Sequence, residues 1–455
     1  MKLVSTRGHG DVVDLRTAVF SGLAPDGGLY LPETVAPLAD EALHDLRGRS
    51  LPEVATRVAR HLIRDEFTED DIGDLVESAL NFPIPLVPLA DGSYVLELFH
   101  GPTGSFKDVG ARFLAGLVGR FRAEMDQDVI VLVATSGDTG GAVAHAFHEE
   151  PGVRTVVLFP EGKVSPVQRK QLTEVGGNVE SVAVRGTFDD CQRLVKKGIA
   201  DRDLQRTAVI ASANSINVGR LLPQSFYYFH AWGQLPDPEP APVFSVPSGN
   251  LGNLTGGALA RFLGLPAAGF LAATNVNDTV ARFLETGELD PNPAVQTLSS
   301  AMDVARPNNL ERLLSLYSDD WRALSREVRG SSHTDHETLE AIRRVYEEQG
   351  YLMDPHTAVG WLALTRARER GGVGGPDGAT GVGDARGAGE APGIVLSTAS
   401  PAKFPETVER ATGIEPDWRP MLPEGSSAEG DVSVTQIDPE YEELLPILQR
   451  VPASR

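Results

Sequence analysis

Short apolar runs alternate with helix-length segments through the middle of this chain. The runs lie at 129–135 (VIVLVAT), 155–159 (TVVLF), 179–184 (VESVAV) and 208–213 (AVIASA), and each is followed by a segment long enough for a helix. Runs that are continuous in Val, Ile and Leu are typical of strands in a parallel sheet, because crossover helices cover both faces of such a sheet. The pattern therefore predicts an α/β fold with ligands at the carboxyl ends of its strands.

A second series of apolar runs follows a proline-rich stretch at 234–243. It includes VFSVP at 243–247 and GFLAAT at 269–274, and the pattern returns with GIVLSTAS at 393–400. Two such series, separated by a proline-rich connection, predict two α/β domains that face a shared cleft. A cleft of this kind is the place where we expect the chemistry.

The domain bounds follow from these two series. We predict an N-terminal lobe at 1–92, a small α/β domain at 128–213, and a large cofactor-binding domain formed by 93–127 together with 214–455. Within the large domain, 371–392 reads as a glycine-rich insertion. Because it offers few apolar groups to bury, we predict a flexible surface loop and not a phosphate cradle.

Length, charge and cysteine content limit the classes of function. A chain of 455 residues can bury a large core, and its net charge of −22 disfavours binding to nucleic acid or to an anionic membrane. The single cysteine excludes an intrachain disulfide and a cysteine-based metal cluster, and we predict no metal site. With no apolar stretch of about 18 residues or signal-peptide pattern, the expected location is the cytoplasm.

Lys107 stands out because lysine is rare in this chain. It lies in the glycine-rich stretch HGPTGSFKDVG at 100–110, and there are only seven lysines among 41 basic residues. A buried lysine can lose its proton and act as a nucleophile, which arginine cannot do. Lys107 is therefore a candidate catalytic residue.

Two further glycine-rich loops each connect a predicted strand to a predicted helix. In SVPSGNLGN (245–253), the glycines and the helix start favour a phosphate, whereas TSGDTGG (135–141) offers hydroxyl and N–H groups suited to a carboxylate. Either loop alone could be an ordinary turn with a helix cap. A nucleophilic amine together with two anion sites suggests pyridoxal phosphate, which needs a lysine, a phosphate cradle and a partner for its ring nitrogen.

Nine motifs, in order along nearly the whole chain, resemble those of the threonine synthase family, in its longer-chain bacterial and fungal group. They are GLAPDGGLYLP, LELFHGPTGSFKD, ATSGDTGGAVAHAF, SANSINVGRL, SVPSGNLGN, AATNVNDTV, LSSAMDVARPNN, DPHTAVG and TASPAKF. The resemblance implies the tryptophan-synthase-β-like fold, fold type II among pyridoxal phosphate enzymes. It also implies conversion of O-phospho-L-homoserine and water to L-threonine and phosphate.

The resemblance also implies roles for individual residues. Lys107 would form the Schiff base, Asp138 would lie near the ring hydroxyl and Thr398 would meet the ring nitrogen. The cofactor phosphate would be bound by Gly249, Asn250, Leu251, Gly252 and Asn253. The substrate carboxylate would be bound by Thr135, Ser136, Gly137 and Thr139, and the substrate phosphate by Ser215, Asn217 and Arg220.

Other functions remain open on the sequence alone. A pyridoxal-phosphate-dependent phospho-lyase would release 2-oxobutyrate and ammonia from the same substrate, and a non-catalytic phosphate or amino-acid binding protein could share the fold. A serine or threonine dehydratase is disfavoured because Arg220 would then have no phosphate to bind. The spaced glycine fingerprint of NAD oxidoreductases is missing. The chain could be a monomer or a homodimer.

Overall fold

A computed structural model describes residues 1–135, 137–237, 239–371, 391–417 and 434–450. Ser136 of the predicted carboxylate loop lies outside the described residues, as does 372–390, most of the predicted glycine-rich insertion.

The described strands form three sheets. The strands are β1 (Leu3–Ser5), β2 (Tyr30–Pro32), β3 (Leu86–Pro88), β4 (Ser93–Glu97), β5 (Val129–Ala134), β6 (Val153–Pro160), β7 (Val179–Val184), β8 (Val209–Ser212), β9 (Val243–Pro247), β10 (Gly269–Thr274), β11 (Val328–Ser332), β12 (Gly393–Ser397) and β13 (Thr435–Ile437). The larger sheet has the order β11-β10-β9-β12-β4-β3 and is parallel except for the β3–β4 pair. The smaller sheet, β13-β7-β6-β5-β8, is parallel throughout, and β1 pairs with β2.

Helices connect and cover the sheets. They are α1 (Leu15–Ser21), α2 (Asp40–His44), α3 (Leu51–Ile63), α4 (Glu69–Ala79), α5 (Lys107–Ala123), α6 (Asp138–Ala146), α7 (Pro166–Thr173), α8 (Phe188–Ala200), α9 (Val218–Leu221), α10 (Phe226–Gln234), α11 (Gly252–Phe262), α12 (Thr279–Thr286), α13 (Leu310–Leu316), α14 (Trp321–Glu327), α15 (Asp335–Gln349), α16 (Pro355–Glu369), α17 (Pro405–Thr412) and α18 (Tyr441–Leu448). Within the described ranges, no helix combines the length and the apolar character needed to cross a membrane.

The apolar runs form the interior of the two large sheets. Every residue of β5, β6, β9, β10 and β12 is buried, so these strands are covered on both faces. Each fully buried Val, Leu or Ile side chain contributes about 1.5–3 kcal/mol relative to an exposed one. The continuous runs therefore account for both the parallel arrangement and its stability, as the sequence predicts.

One strand differs from the predicted assignment of 214–455 to the large domain. Thr435–Ile437 pairs with Val182–Val184 of β7, so the last strand extends the smaller sheet, and α18 packs against α8 beside it. A strand of three residues at a sheet edge has no long apolar run, and its sequence carries no information about which sheet it joins. The bounds of the domains otherwise stay a prediction.

Candidate active site

Three loops of the site leave the larger sheet at the same edge. The loop at 248–251 follows β9, Thr398 follows β12, and the segment leading to Lys107 follows β4. β9, β12 and β4 are neighbours and run parallel, so their carboxyl ends meet at that edge. The topology therefore brings together three motifs that are far apart in the sequence.

The segment before Lys107 is joined to the loop that follows β12. The Phe106 N–H donates to the Thr398 carbonyl at 2.9 Å, and the Ser400 N–H donates to the Gly104 carbonyl at 2.9 Å. Lys107 is the first residue of α5, so its backbone is fixed by the helix on one side and by this pairing on the other. The lysine and Thr398 are thus held next to each other.

The amine of Lys107 faces a carboxylate on α6, the helix that follows β5 of the smaller sheet. Its Nζ lies 3.4 Å from Oδ2 of Asp138, the first residue of α6. Burial lowers the pKa of the Lys107 amine, and Asp138 offsets this only in part. Charges on Lys403 and Arg220 lower the pKa further. The amine is therefore closer to its neutral, nucleophilic form than an exposed lysine would be.

Asp138 is buried and bound on its other oxygen. Its Oδ1 accepts from Gln168 Nε2 at 2.9 Å and lies 3.0 Å from Nζ of Lys403. Burial raises the pKa of Asp138, but the positive charges of Lys403 and Lys107 outweigh it, so the pKa lies far below its usual range. Asp138 is therefore an anion at the centre of the site.

Lys403 and two glutamines are site residues that the sequence reasoning missed. Lys403 lies in the PAKF segment five residues after Thr398, and its Nζ donates to the Thr103 carbonyl and to Gln171 Oε1, both at 2.8 Å. The scarcity of lysine that singles out Lys107 applies equally to Lys403. Gln168 and Gln171 come from α7, whose sequence gives no such signal.

The loop after β9 presents a row of backbone donors. No described residue accepts a hydrogen bond from the N–H groups of 249–253. Leu251 adopts a left-handed conformation with φ 61°, and α11 begins at Gly252, so the helix start faces the loop. At Gly249 a Cβ would lie 2.4 Å from the Ala301 carbonyl oxygen, so only glycine fits. Such a row of N–H groups suits a phosphate.

The two asparagines of this loop have structural side chains. Asn250 accepts from the Asn308 N–H at 2.6 Å and donates to Ser215 Oγ at 2.6 Å. Asn253 donates to the Pro247 carbonyl at 2.8 Å. These two residues therefore offer their backbone N–H groups, and not their amides, to a ligand.

In the predicted carboxylate loop after β5, the Thr135 side chain bonds the backbone of the described residues that follow it. The Thr135 hydroxyl accepts from the N–H groups of Gly137 and Gly140 at 2.9 and 2.8 Å, and it donates to the Gly137 carbonyl. Gly137 has φ 154°, and a Cβ there would lie 2.5 Å from Gln168. Thr139 is half-buried in the first turn of α6. The Thr135 hydroxyl therefore shapes this loop.

Arg220 is a buried cation without a carboxylate among the described residues. Its Nη1 donates to the Ala213 carbonyl at 2.9 Å, while its Nε is buried and unbonded. Burial lowers the pKa of Arg220 to about 10. A buried guanidinium with unused donors and no acid partner is suited to bind an anion.

The other two predicted phosphate ligands differ from each other. The Ser215 hydroxyl accepts from Asn250, which links this loop to the loop after β9. The Asn217 amide donates to the Val19 and Ser212 carbonyls, both at 2.8 Å, and accepts from the Gly219 N–H. With its polar atoms used in this way, Asn217 positions α9, which carries Arg220.

These residues fit pyridoxal phosphate. The cofactor needs a lysine amine, a phosphate cradle and a partner for its ring nitrogen. The Lys107 side chain is only 15% exposed and its amine has a lowered pKa, and residues 249–253 have N–H groups with no acceptor among the described residues. The Thr398 hydroxyl bonds to no described residue, which leaves it available as the third group.

Known protein families match the chain over nearly its whole length. The family described as "Pyridoxal-phosphate dependent enzyme" matches residues 78–380. Residues 2–80 match "Threonine synthase N terminus", and residues 378–436 match "Threonine synthase, C-terminal". These matches confirm the expected cofactor and fold type.

Individual relatives agree with the families. Threonine synthase of Serratia marcescens is 40% identical over 417 residues, which cover 91% of this chain and 92% of that protein. Threonine synthase of Escherichia coli K12 is 41% identical over 415 residues and 91% of each chain. The crystal structure of a pyridoxal-phosphate-bound threonine synthase from Brucella melitensis aligns with a TM-score of 0.86, at 34% identity over 98% of both chains.

Proposed function

This chain belongs to the threonine synthase family of pyridoxal-phosphate-dependent enzymes, and from that premise we propose how its residues convert O-phospho-L-homoserine and water to L-threonine and phosphate. The observation that carries the assignment is the partly buried amine of Lys107, which lies 3.4 Å from Oδ2 of Asp138. The depressed pKa of this amine suits it to covalent attachment and to proton transfer.

The cofactor would be held by residues from both sheets. Lys107 would anchor it, the N–H groups of 249–253 would bind its phosphate, and the hydroxyl of Thr398 would meet its ring nitrogen. Asp138 would lie near the ring hydroxyl. Pyridoxal phosphate, when bound, supplies a ring that delocalises negative charge from the carbon atoms of an amino-acid substrate.

Two anion sites would orient the substrate. We assign its carboxylate to the loop of Thr135, Ser136, Gly137 and Thr139, where the start of α6 supplies N–H groups. We assign its phosphate to Arg220 and Ser215, because the Arg220 guanidinium has unused donors and no acid partner among the described residues. Asn217 would act by holding the start of α9 in place.

Lys107 would act as the general base and general acid of the reaction. The Lys107 amine would take the proton from the α-carbon of the bound substrate, and loss of a second proton from the β-carbon would allow the γ-phosphate to leave. Arg220 would hold the departing phosphate, which can assist proton transfer while water adds at the β-carbon. Lys107 would return the two protons to the γ-carbon and the α-carbon, the hydroxyl of the water would stay on the β-carbon, and the remaining proton of the water would leave with the phosphate, which gives L-threonine.

Absorption and product analysis test this proposal together. The purified protein loaded with pyridoxal phosphate is expected to show a visible absorption band, and Lys107→Ala to lose both that band and threonine formation. Lys196→Ala, in an exposed lysine of α8, is the matched control and should retain both. An active Lys107→Ala variant would refute the assignment. Formation of 2-oxobutyrate and ammonia instead of threonine would identify a phospho-lyase.

Some features stay predictions. The substrate is a small molecule, and we propose O-phospho-L-homoserine because one carboxylate and one phosphate match the two anion sites. We propose that the protein acts in the cytoplasm, as a monomer or a homodimer, with the domain bounds predicted from the sequence.

A further inference from the structure

We infer that Lys403 is the permanent counter-ion of Asp138, and that it lets the Lys107 amine gain and lose its proton without leaving a buried carboxylate uncompensated. This inference rests on the proposed role of Lys107 and assigns a positioning residue to the same site. It concerns a lysine that the reaction itself does not use.

The first observation is how firmly the ammonium of Lys403 is held. Its side chain is fully buried, and three acceptors surround Nζ: the Thr103 carbonyl at 2.8 Å, Gln171 Oε1 at 2.8 Å and Asp138 Oδ1 at 3.0 Å. An ammonium group has three protons to donate, so each can be matched to one acceptor. Lys403 therefore has the partners that a buried cation requires.

The second observation is that Lys107 is the looser partner of the same carboxylate. Its Nζ lies 3.4 Å from Asp138 Oδ2, and its side chain is 15% exposed, whereas that of Lys403 is 0% exposed. Asp138 Oδ1 thus contacts the fully buried Lys403, whereas Oδ2 faces the amine of Lys107, the reactive lysine. Gln168 also donates a hydrogen bond to Asp138 Oδ1, the oxygen that contacts Lys403.

The loop that carries Lys107 is built to hold Lys403. The Asp108 carboxylate accepts from the N–H of Thr103 at 2.9 Å and from its hydroxyl at 2.7 Å, which fixes the Thr103 carbonyl that Lys403 bonds. At Gly101 a Cβ would lie 2.5 Å from Asp108 Oδ2, so the loop is closely packed there. Both lysines therefore depend on one short segment of chain.

The charges explain why a second lysine is useful. If Lys107 were the only cation beside Asp138, loss of the Lys107 proton would leave a buried carboxylate without a positive charge nearby. Such a state is unfavourable in free energy. Lys107, paired with Asp138 alone, would then keep its proton to higher pH. With Lys403 in place, Asp138 stays compensated in both states of Lys107. The positive charge of Lys403 also disfavours the protonated form of Lys107 directly.

Other ionisable groups of the described residues also interact with these three. The charge of Arg220 on α9 acts on Lys107, and the charge of Lys403 acts on Asp108 of α5 and on His145 of α6. Arg220 is a fixed cation, and neither Asp108 nor His145 contacts Asp138. Of the cations that act on Lys107, Lys403 is therefore the one whose removal should alter its titration most.

The test is a pH titration of the visible absorption band of the holoenzyme, which reports the protonation of the Lys107 nitrogen in its bond to the cofactor. Lys403→Met removes the charge and keeps an unbranched side chain, and we expect the midpoint of the titration to rise by about one pH unit or more, a tenfold change in proton affinity. Lys403→Arg keeps the charge and should bring the midpoint back toward that of the wild type. Lys196→Met, in an exposed lysine on α8, is the matched control and should leave the midpoint unchanged.

A midpoint for folded Lys403→Met within about 0.3 units of wild type would overturn the inference. If that variant does not fold, Asp138→Asn, which keeps the shape of the side chain, provides the test. Without the anion, Lys107 faces only cations and should release its proton at lower pH. An unchanged midpoint in Asp138→Asn would show that Asp138 does not influence the proton affinity of Lys107, which would also overturn the inference.

The outcome is distinguishable from failure of the proposed function. If the wild-type holoenzyme has no visible band, or if Lys107→Ala keeps one, the role of Lys107 is wrong. If the band is present and depends on Lys107 but does not respond to Lys403→Met, only the role of Lys403 is wrong.

Discussion

Two buried arginines near the site differ in what they bond. Arg312 donates to the Tyr30 carbonyl at 3.0 Å, to Asn309 Oδ1 at 2.9 Å and to the carbonyls of Ser215 and Ile216. Arg220 donates only to Ala213 among the described residues. Burial lowers the pKa of both, to about 9 for Arg312 and about 10 for Arg220. Arg312 is thus a structural cation, whereas Arg220 has donors left for a ligand.

Arg220→Met should therefore weaken substrate binding without weakening the fold. We expect kcat/KM for the phosphorylated substrate to fall by about 10- to 150-fold, since charge-assisted hydrogen bonds contribute about 1.5–3 kcal/mol. The free energy of unfolding of the apoprotein should stay the same or rise by about 1–2 kcal/mol, because an uncompensated buried charge is removed. Steady-state kinetics and urea unfolding measure the two effects.

Arg312→Met is the matched control for this change. It leaves the carbonyls of Tyr30, Ser215 and Ile216 without their donor, so we expect a loss of about 3 kcal/mol or more in the free energy of unfolding. If Arg220→Met destabilised the protein as much as Arg312→Met and left KM unchanged, Arg220 would be a structural residue too.

At the scale of the loops, the sequence predicts where ligands bind but not how the loops support one another. A glycine-rich segment after a Val-rich run indicates a strand end with backbone N–H groups, and 248–251 do lie between a strand and a helix as this pattern predicts. The contacts between loops come from the sheet order, which no local pattern encodes. For this reason the sequence gives no sign that Lys403 meets Asp138 in the folded chain, or that the Asn217 amide bonds two backbone carbonyls.

The loop after β9 offers a sharp test of the phosphate cradle. Gly249→Ala would place a Cβ 2.4 Å from the Ala301 carbonyl oxygen. Ala301 is itself held, because its N–H donates to His356 Nε2 at 3.2 Å and His356 Nδ1 is bonded to Asp354 at 2.6 Å. We expect a loss of about 1–3 kcal/mol in the free energy of unfolding and a weaker affinity for pyridoxal phosphate by about tenfold or more.

Gly252→Ala is the matched control in the same loop. The nearest atom to its added Cβ would be Gln224 Nε2 at 3.5 Å, an ordinary contact. Because alanine is favoured over glycine in a helix, the free energy of unfolding should stay the same or rise by up to about 1 kcal/mol. Urea unfolding and cofactor titration separate the two variants. Equal losses of stability in both would contradict the close contact at Gly249.

At the scale of the whole molecule, the N-terminal lobe is tied to the site through backbone groups. The Asn217 amide bonds the Val19 carbonyl, and Arg312 bonds the Tyr30 carbonyl. The apolar runs predicted the two parallel sheets, but they gave no indication of these contacts, because carbonyl groups carry no sequence signal. The same applies to β13, whose three residues join the smaller sheet.

Three buried histidines lie in different parts of the molecule, and because of them we expect the free energy of unfolding to fall in mild acid. His145 lies on α6, His230 on α10 and His333 after β11, and burial lowers the pKa of each from 6.5 to about 4. Each ring has one buried nitrogen without a partner among the described residues, as expected for a neutral imidazole. Between pH 6.5 and 4 the unfolded chain therefore binds protons that the folded chain does not.

The free energy of unfolding should accordingly be greatest above pH 6.5 and should fall as the pH is lowered toward 4. With up to three extra protons bound by the unfolded chain, the slope near pH 5 should approach about 4 kcal/mol per pH unit. Urea unfolding of the apoprotein between pH 7 and 5 measures it in a range where Asp138, ordinarily titrating near 3.8, adds little. His333→Gln should reduce the slope by about 1.4 kcal/mol per unit, whereas His9→Gln, at an exposed site, should keep it. A flat profile from pH 7 to 5 would mean that these imidazoles take up protons in the folded protein, and so are not shielded from water as their burial indicates.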